Sequence, residues 1–163
     1  MNGRGTHWKA LVTGAMVIAV AGCASGQKMM GSGDPVADRQ RVMKNVGANW
    51  ADIQAKVKAG NTEGVAVNAE ALALHAQRIP SLFPEGSLTE KSKAKPEVWQ
   101  KWDEFTAAAK NLENRATGLG DQAKAKNAAG VETTVKDFGR LACGTCHTPF
   151  RVPPPQQPAP APR

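Results

Sequence analysis

The chain has 163 residues, room for one modest domain with a core of its own and too few for several. It carries 21 Lys and Arg against 14 Asp and Glu, a formal charge of +7, a balance that suits acidic protein partners as well as nucleic acid. Its three cysteines exclude a fully paired disulfide framework, and no phosphate-binding loop, serine triad or paired-carboxylate site stands out, so a conventional enzyme is not expected.

In chain order, residues 1–22 read as an export leader. Arg4, His7 and Lys9 form a positive start, and Ala10 to Ala21 is an apolar run too short for a comfortable membrane span. The run ends in "VAGC", Val20 to Cys23, which resembles the lipobox of bacterial lipoproteins. That resemblance implies cleavage before Cys23, a lipid on its thiol and a membrane anchor. An ordinary leader with an incidental cysteine is the alternative. Residues 23–33, rich in Gly and Ser, then form a flexible tether. Export makes nucleic acid an unsuitable partner for the basic surface. The place implied is the periplasm of a Gram-negative bacterium, where the chain meets redox partner proteins.

From Asp34 onward apolar residues recur at helical spacing and no strand pattern is convincing. Asp34 caps a first helix and Pro35 fits its first position. Val36, Arg39, Met43, Val46, Trp50, Ile53 and Val57 share one face, and Gly60 and Asn61 end the helix. Asn61 can cap a second helix with Val65, Ala69, Leu72, Ala76 and Ile79 inward, stopped by Pro80. Residues 81–95 form a loop long enough to cover something. Pro96 opens a third helix with Val98, Trp102, Phe105, Ala109, Leu112, Ala116 and Leu119 on its stripe, bent or frayed near Gly118 and Gly120. The last helix uses Val131, Val135, Phe138 and Leu141 or Ala142. The expected fold is all-α, an antiparallel four-helix bundle over residues 34–151. Residues 152–163 are proline-rich and read as a disordered tail.

The last helix ends in Cys143-Gly144-Thr145-Cys146-His147. On a helix, positions i, i+3 and i+4 share a face, so both thiols reach one flat ligand while the imidazole binds its metal. That is the geometry of a covalent haem c: two thioether bonds and an axial nitrogen on iron. A thioredoxin-type dithiol would follow a strand, and a zinc site needs about four ligands where only His75 could join these three.

A bundle with this motif at its end resembles the class II cytochromes c, cytochrome c prime and its low-spin relatives. The likeness runs from about Asp34 to Arg151. It includes "RQRVMKNVG", "PSLFPEGS", "KPEVWQKWDEF" and "CGTCHTPFR". It implies that Met43, in the first helix, supplies the sixth iron ligand opposite His147, as in the low-spin branch. The iron then carries single electrons. In the other branch an apolar residue there crowds the face without binding, and the five-coordinate iron captures small gases such as nitric oxide; sequence leaves both open. Met1 and Met16 would leave with the leader and Met29 and Met30 lie in the tether. Arg39, on the same seam as Met43, needs a partner, and a haem propionate would serve; the family has an arginine in that role. Arg151 matches a family arginine near the proximal imidazole, although Pro149 intervenes and can end the helix. His75 lies off the main stripe. Phe150, Trp50, Trp102 and Phe105 can wall the haem or simply pack the core. The family often pairs through its first two helices, which makes a homodimer compatible with the likeness.

Overall fold

The structure, a computed structural model, describes residues 32–154. The leader, Cys23, Met29, Met30 and most of the tether and tail lie outside them.

Helix α1 spans Pro35–Lys58. Asp34 Oδ1 accepts from the Val36 and Ala37 amides at 2.8 and 3.3 Å, so the cap read from the sequence forms. The chain leaves α1 through Gly60, whose φ of 75° lies in the left-handed region. A 3₁₀ turn at Glu63–Val65 leads into α2, Ala66–Arg78. Asn61 braces that turn, its Oδ1 accepting from the Gly64 amide at 2.9 Å, while Val65, directly before α2, makes no side-chain cap bond. Pro80 opens a second 3₁₀ turn, Pro80–Leu82, and the long loop follows. Then come α3, Glu97–Gln100; α4, Trp102–Lys124; and α5, Ala128–Phe138. A wide turn at Gly139–Cys143 joins α5 to α6, Gly144–Phe150. The column α5 to α6 packs with α1, α2 and α4 as an antiparallel four-helix bundle. Among the described residues the only β pairing is one antiparallel bridge, Ala94 to Arg151.

The bundle closes on small side chains. α2 buries Ala69, Ala73 and Ala76, and α4 buries Ala108, Ala109, Ala116 and Ala123. Their small volume lets these two helices form the most extensive interface in the fold. At Gly120 an added Cβ would sit 3.5 Å from Ala69 Cβ, ordinary contact, so the two backbones already lie close there. α4 passes Gly118 and Gly120 without a break, because Leu119 between them and Ala116 and Ala123 on either side are fully buried and hold it. Larger side chains fill the rest: Ile53, Leu72, Leu119, Val131, Phe105 and Phe138.

Two elements differ from the sequence expectation. The third helix is not continuous: Lys101, at φ −125° and ψ 51°, separates α3 from α4. This interruption resets the helical phase, so Val98 and Phe105 stay buried while Trp102 turns outward to 39 % exposure. Trp102 is therefore not a core residue. The last helix is widened at Gly139–Cys143, where the Gly144 amide bonds to the carbonyl of Gly139, five residues back. Leu141 stays half-buried and Ala142 becomes the inward residue.

Leu119 is fully buried between α4 and its neighbours, and Leu74 on α2 is 61 % exposed. Leu119→Ala should cost about 2–5 kcal/mol and Leu74→Ala less than about 0.5 kcal/mol. The midpoint of urea unfolding of the two variants measures the difference.

Candidate functional site

The haem motif lies at the end of the α5–α6 column, and the wide turn sets its position. Widening changes the carbonyl partners just upstream. Asn111 of α4 compensates: its Nδ2 donates to the Leu141 carbonyl at 2.7 Å and to Thr145 Oγ1 at 3.2 Å. Arg115 Nε donates to Asn111 Oδ1 at 3.0 Å and holds the amide in place. Thr145 Oγ1 donates in turn to the Ala142 carbonyl at 3.0 Å. Asn111 was not legible as a site residue. It sits between apolar stripe positions like any solvent-facing helical residue, and only the packing of α4 on the wide turn reveals its role.

Cys143 and Cys146 are free thiols, and both pack against the hydrophobic core. Burial pushes the Cys143 thiol up from its usual value; burial, then the neighbouring Cys143, pushes Cys146 up to about 11. Such thiols stay protonated at neutral pH and make poor redox nucleophiles. The helix backbone also runs on through Cys143 from the preceding turn, so no open helix N-terminus is there to stabilise a thiolate. No group of three or more His, Cys, Asp and Glu side chains able to hold a metal ion occurs among the described residues. The pair is built neither as a dithiol switch nor as part of a zinc cluster.

Beside the motif lies a cavity of about 480 Å³, within the span of roughly 300–1,000 Å³ usual for small-molecule and cofactor sites. Met43, Cys146, His147, Arg39 and Arg151 all line it. Val36, Ile79, Phe83, Val98, Phe105 and Phe150 supply its apolar wall. Cys143 is not part of the lining and packs against the hydrophobic core. His147 stands at the exposed side, yet burial first, and the nearby Arg151 guanidinium second, lower its pKa and favour the neutral, metal-binding imidazole. His75 is half-buried on α2 and is not part of the lining; burial and then Arg78 lower its pKa. Phe105 and Phe150 wall the cavity. Trp50 instead stacks on Phe138 at 4.9 Å, inside the bundle, and Trp102 lines a different groove.

The long loop closes one side of this cavity, and Arg39 holds it there. The Arg39 side chain is buried. Nη1 donates to the Leu82 carbonyl at 3.3 Å and Ser87 Oγ at 2.9 Å. Nη2 donates to the Ser87 carbonyl at 2.8 Å and Ser92 Oγ at 3.4 Å. The guanidinium also lies 4.6 Å from the centre of the Phe83 ring. All four acceptors are neutral oxygens. The loop solvates the charge with neutral groups and the Asp34 carboxylate acts on it through its field, so the arginine sits buried on the cavity wall with no ion pair of its own among the described residues.

α6 continues one residue past Pro149, to Phe150, and the Arg151 amide donates to the His147 carbonyl at 3.2 Å. Proline lacks a donor but does not block the bond made two residues later. Arg151 then turns extended and runs antiparallel to the loop. The Lys95 amide donates to the Phe150 carbonyl at 2.9 Å, and the Val152 amide to the Lys93 carbonyl at 2.8 Å. Loop and motif are thus stitched together on both sides of the bridge.

Three comparisons with known proteins agree with this arrangement. The family model described as Cytochrome C' matches residues 34–151. Cytochrome c-556 of Agrobacterium fabrum is 31% identical over 144 residues, covering 86% of this chain and 94% of that one. Cytochrome c' of Pararhodospirillum photometricum is 34% identical over 117 residues, covering 69% of this chain and 92% of that one. The crystal structure of cytochrome c' from Thermochromatium tepidum superposes with a TM-score of 0.68 at 24% identity, over 76% of this chain and 99% of that one.

Arg39→Ala removes four bonds from a charged donor and should destabilise the fold by about 1.5–3 kcal/mol or more. Its distinctive effect is local: amide hydrogen exchange should accelerate over residues 82–92 more than in α2 or α4. Equal acceleration throughout would show that Arg39 does not hold the loop.

Proposed function

Because the chain belongs to the cytochrome c' family, we propose that it carries single electrons and that His147 and Met43 would hold its haem iron. The cofactor is one covalent haem c, attached through Cys143 and Cys146. When bound, it supplies a reversible one-electron iron couple. Everything else in this reading concerns what the polypeptide does to that couple.

The observation that carries the proposal is the shared wall. Met43, from α1, and His147, from α6, line the same cavity, and Met43 is the only methionine among the described residues. A thioether opposite an imidazole favours the reduced state and raises the potential. The apolar wall keeps water away and lowers the local dielectric, so little reorganisation accompanies the change of charge. Arg39 and Arg151 line the cavity as cations and are the proposed partners of the haem carboxylates. Arg39 fits because its present partners leave its charge unneutralised.

The same reading places the protein outside the cytoplasmic membrane, in the periplasm, after removal of residues 1–22. Cys23 is its proposed lipid anchor, and redox proteins are its partners. Among the described residues no helix is long and apolar enough to cross a membrane. It transforms no substrate. A homodimer would use the α1 and α2 side, where Val67 and Leu74 are exposed.

The gas-binding reading draws on the same residue. Met43 is half-buried among Val36, Ile79 and Phe105, where it can crowd an open iron face instead of bonding to it. Absorption spectra of the matured protein, oxidised and reduced, with and without carbon monoxide, separate the two. Ligation by Met43 gives sharp low-spin bands, a sulfur–iron charge-transfer band and no response to carbon monoxide. Met43→Ala should then remove that band, lower the potential and admit carbon monoxide. Broad high-spin bands that shift with carbon monoxide in the unaltered protein would instead make gas binding the function.

A further inference from the structure

A second depression shares Phe83 with the cavity beside the motif. Pro80, Ser81, Phe83, Pro84 and Glu85 form one bank, and Trp99 and Trp102 form the other. Phe83 belongs to both cavities. The groove is rigid where it matters. Trp99 Nε1 donates to the Phe83 and Pro84 carbonyls at 3.1 and 3.2 Å, which fixes its indole plane. Phe83 packs edge-on against Phe105 at 4.7 Å, and Trp102 lies 5.6 Å from the same Phe105 ring. Two indoles, a phenyl ring and two prolines on a fixed backbone make the kind of surface that recognises polyproline helices.

The chain carries such a ligand. Residues 153–163 read "PPPQQPAPAPR". Pro155 and Pro158 have the P-x-x-P spacing, and Pro160 and Pro162 continue the proline pattern. We propose that this tail folds back and docks in the groove of its own molecule, with its proline rings on Trp99 and Trp102.

Three features favour this occupant. The first is position. Val152 pairs antiparallel with the loop, its amide donating to the Lys93 carbonyl, so the tail leaves the domain beside the same loop whose other end supplies one bank of the groove. The second is length. The nine residues 155–163 reach about 28 Å as a polyproline helix. The third is charge and exposure. Arg163 is the sole charged residue in 153–163, and Glu85 borders the groove. Large apolar side chains exposed among the described residues are Val67, Leu74, Leu88, Trp102 and Val152. The last three belong to the loop, the groove wall and the root of the tail, the surfaces such docking would cover. A preformed polyproline segment also loses little conformational entropy on docking, and its short tether raises its effective concentration.

Docking places the tail against Phe83, whose ring also touches the Arg39 guanidinium. The tail is therefore a strap over the loop that walls the haem cavity, and it contacts neither His147 nor Met43.

The test compares the full mature holoprotein with a form ending at Pro154, following the indole N–H resonances by two-dimensional NMR. Trp99 and Trp102 should shift on truncation, and Trp50, stacked inside the bundle, should not. A synthetic peptide of residues 153–163, titrated into the truncated form, should restore the shifts. In the full chain, Trp102→Ala should weaken the response of Trp99 to truncation at least several-fold; because Trp102 is half on the surface, the haem spectrum of this variant reports that the fold is kept. Shifts that are independent of protein concentration support docking within one molecule. Shifts that disappear on dilution would overturn it in favour of a tail exchanged between two copies. No change at Trp99 and Trp102 on truncation would overturn it altogether.

Discussion

A guanidinium taken out of water must find acceptors, and Arg39 finds them at the end of a 3₁₀ turn and in the irregular loop that follows it. The carbonyls of Leu82 and Ser87 and the hydroxyls of Ser87 and Ser92 converge on it from a stretch of eleven residues. That demand shapes the loop. The shaped loop then presents Phe83 to two cavities and carries Lys93 to Lys95 alongside Arg151. An uncommitted loop at this position would leave the haem cavity open on one side and the tail root without a partner. The burial of one charge thus organises one wall of the cavity beside the motif, with neutral oxygens as its hydrogen-bond acceptors.

The opposite wall depends on a different constraint. α2 and α4 approach closely through alanines and Gly120, which leaves the volume of the larger apolar side chains for the end of the bundle where the cofactor binds. The α5–α6 column carries Cys146 and His147 to that cavity, and its helical phase shifts just before them. The wide turn at Gly139–Cys143 makes the adjustment, and Asn111 satisfies the Leu141 carbonyl beside it. Such widened turns are common at functional sites because they re-aim side chains without ending the helix.

Much of this was written locally and could be read locally. The Asp34 cap, Pro35 at the first position, Asn61 and the alanine-rich stripes are short-range signals, since capping and helical periodicity act within a few residues. The stripe of α2 is buried at every expected position. The C-x-x-C-H motif is equally local, because thioether attachment and axial ligation need only residues one helical turn apart. Met43 could be singled out as the methionine on a buried stripe, although ligation and crowding demand the same residue in the same place. Trp102 reads as core from its spacing and is not. Its spacing is right for a continuous helix, and nothing in the adjacent residues announces the break at Lys101.

By itself, then, the amino-acid sequence determined the helices, the all-α class, the haem-binding motif and the seam on which Arg39 and Met43 lie. Each depends on neighbours three or four residues away. The tertiary structure decided which acceptors meet Arg39, that Asn111 steadies the motif, that Arg151 pairs back with the loop beyond Pro149, and that Trp99 and Trp102 border a groove of their own. These contacts join residues tens of positions apart. Their partners are chosen by which buried polar groups must be satisfied once the helices have packed, and no periodicity along the chain encodes that choice.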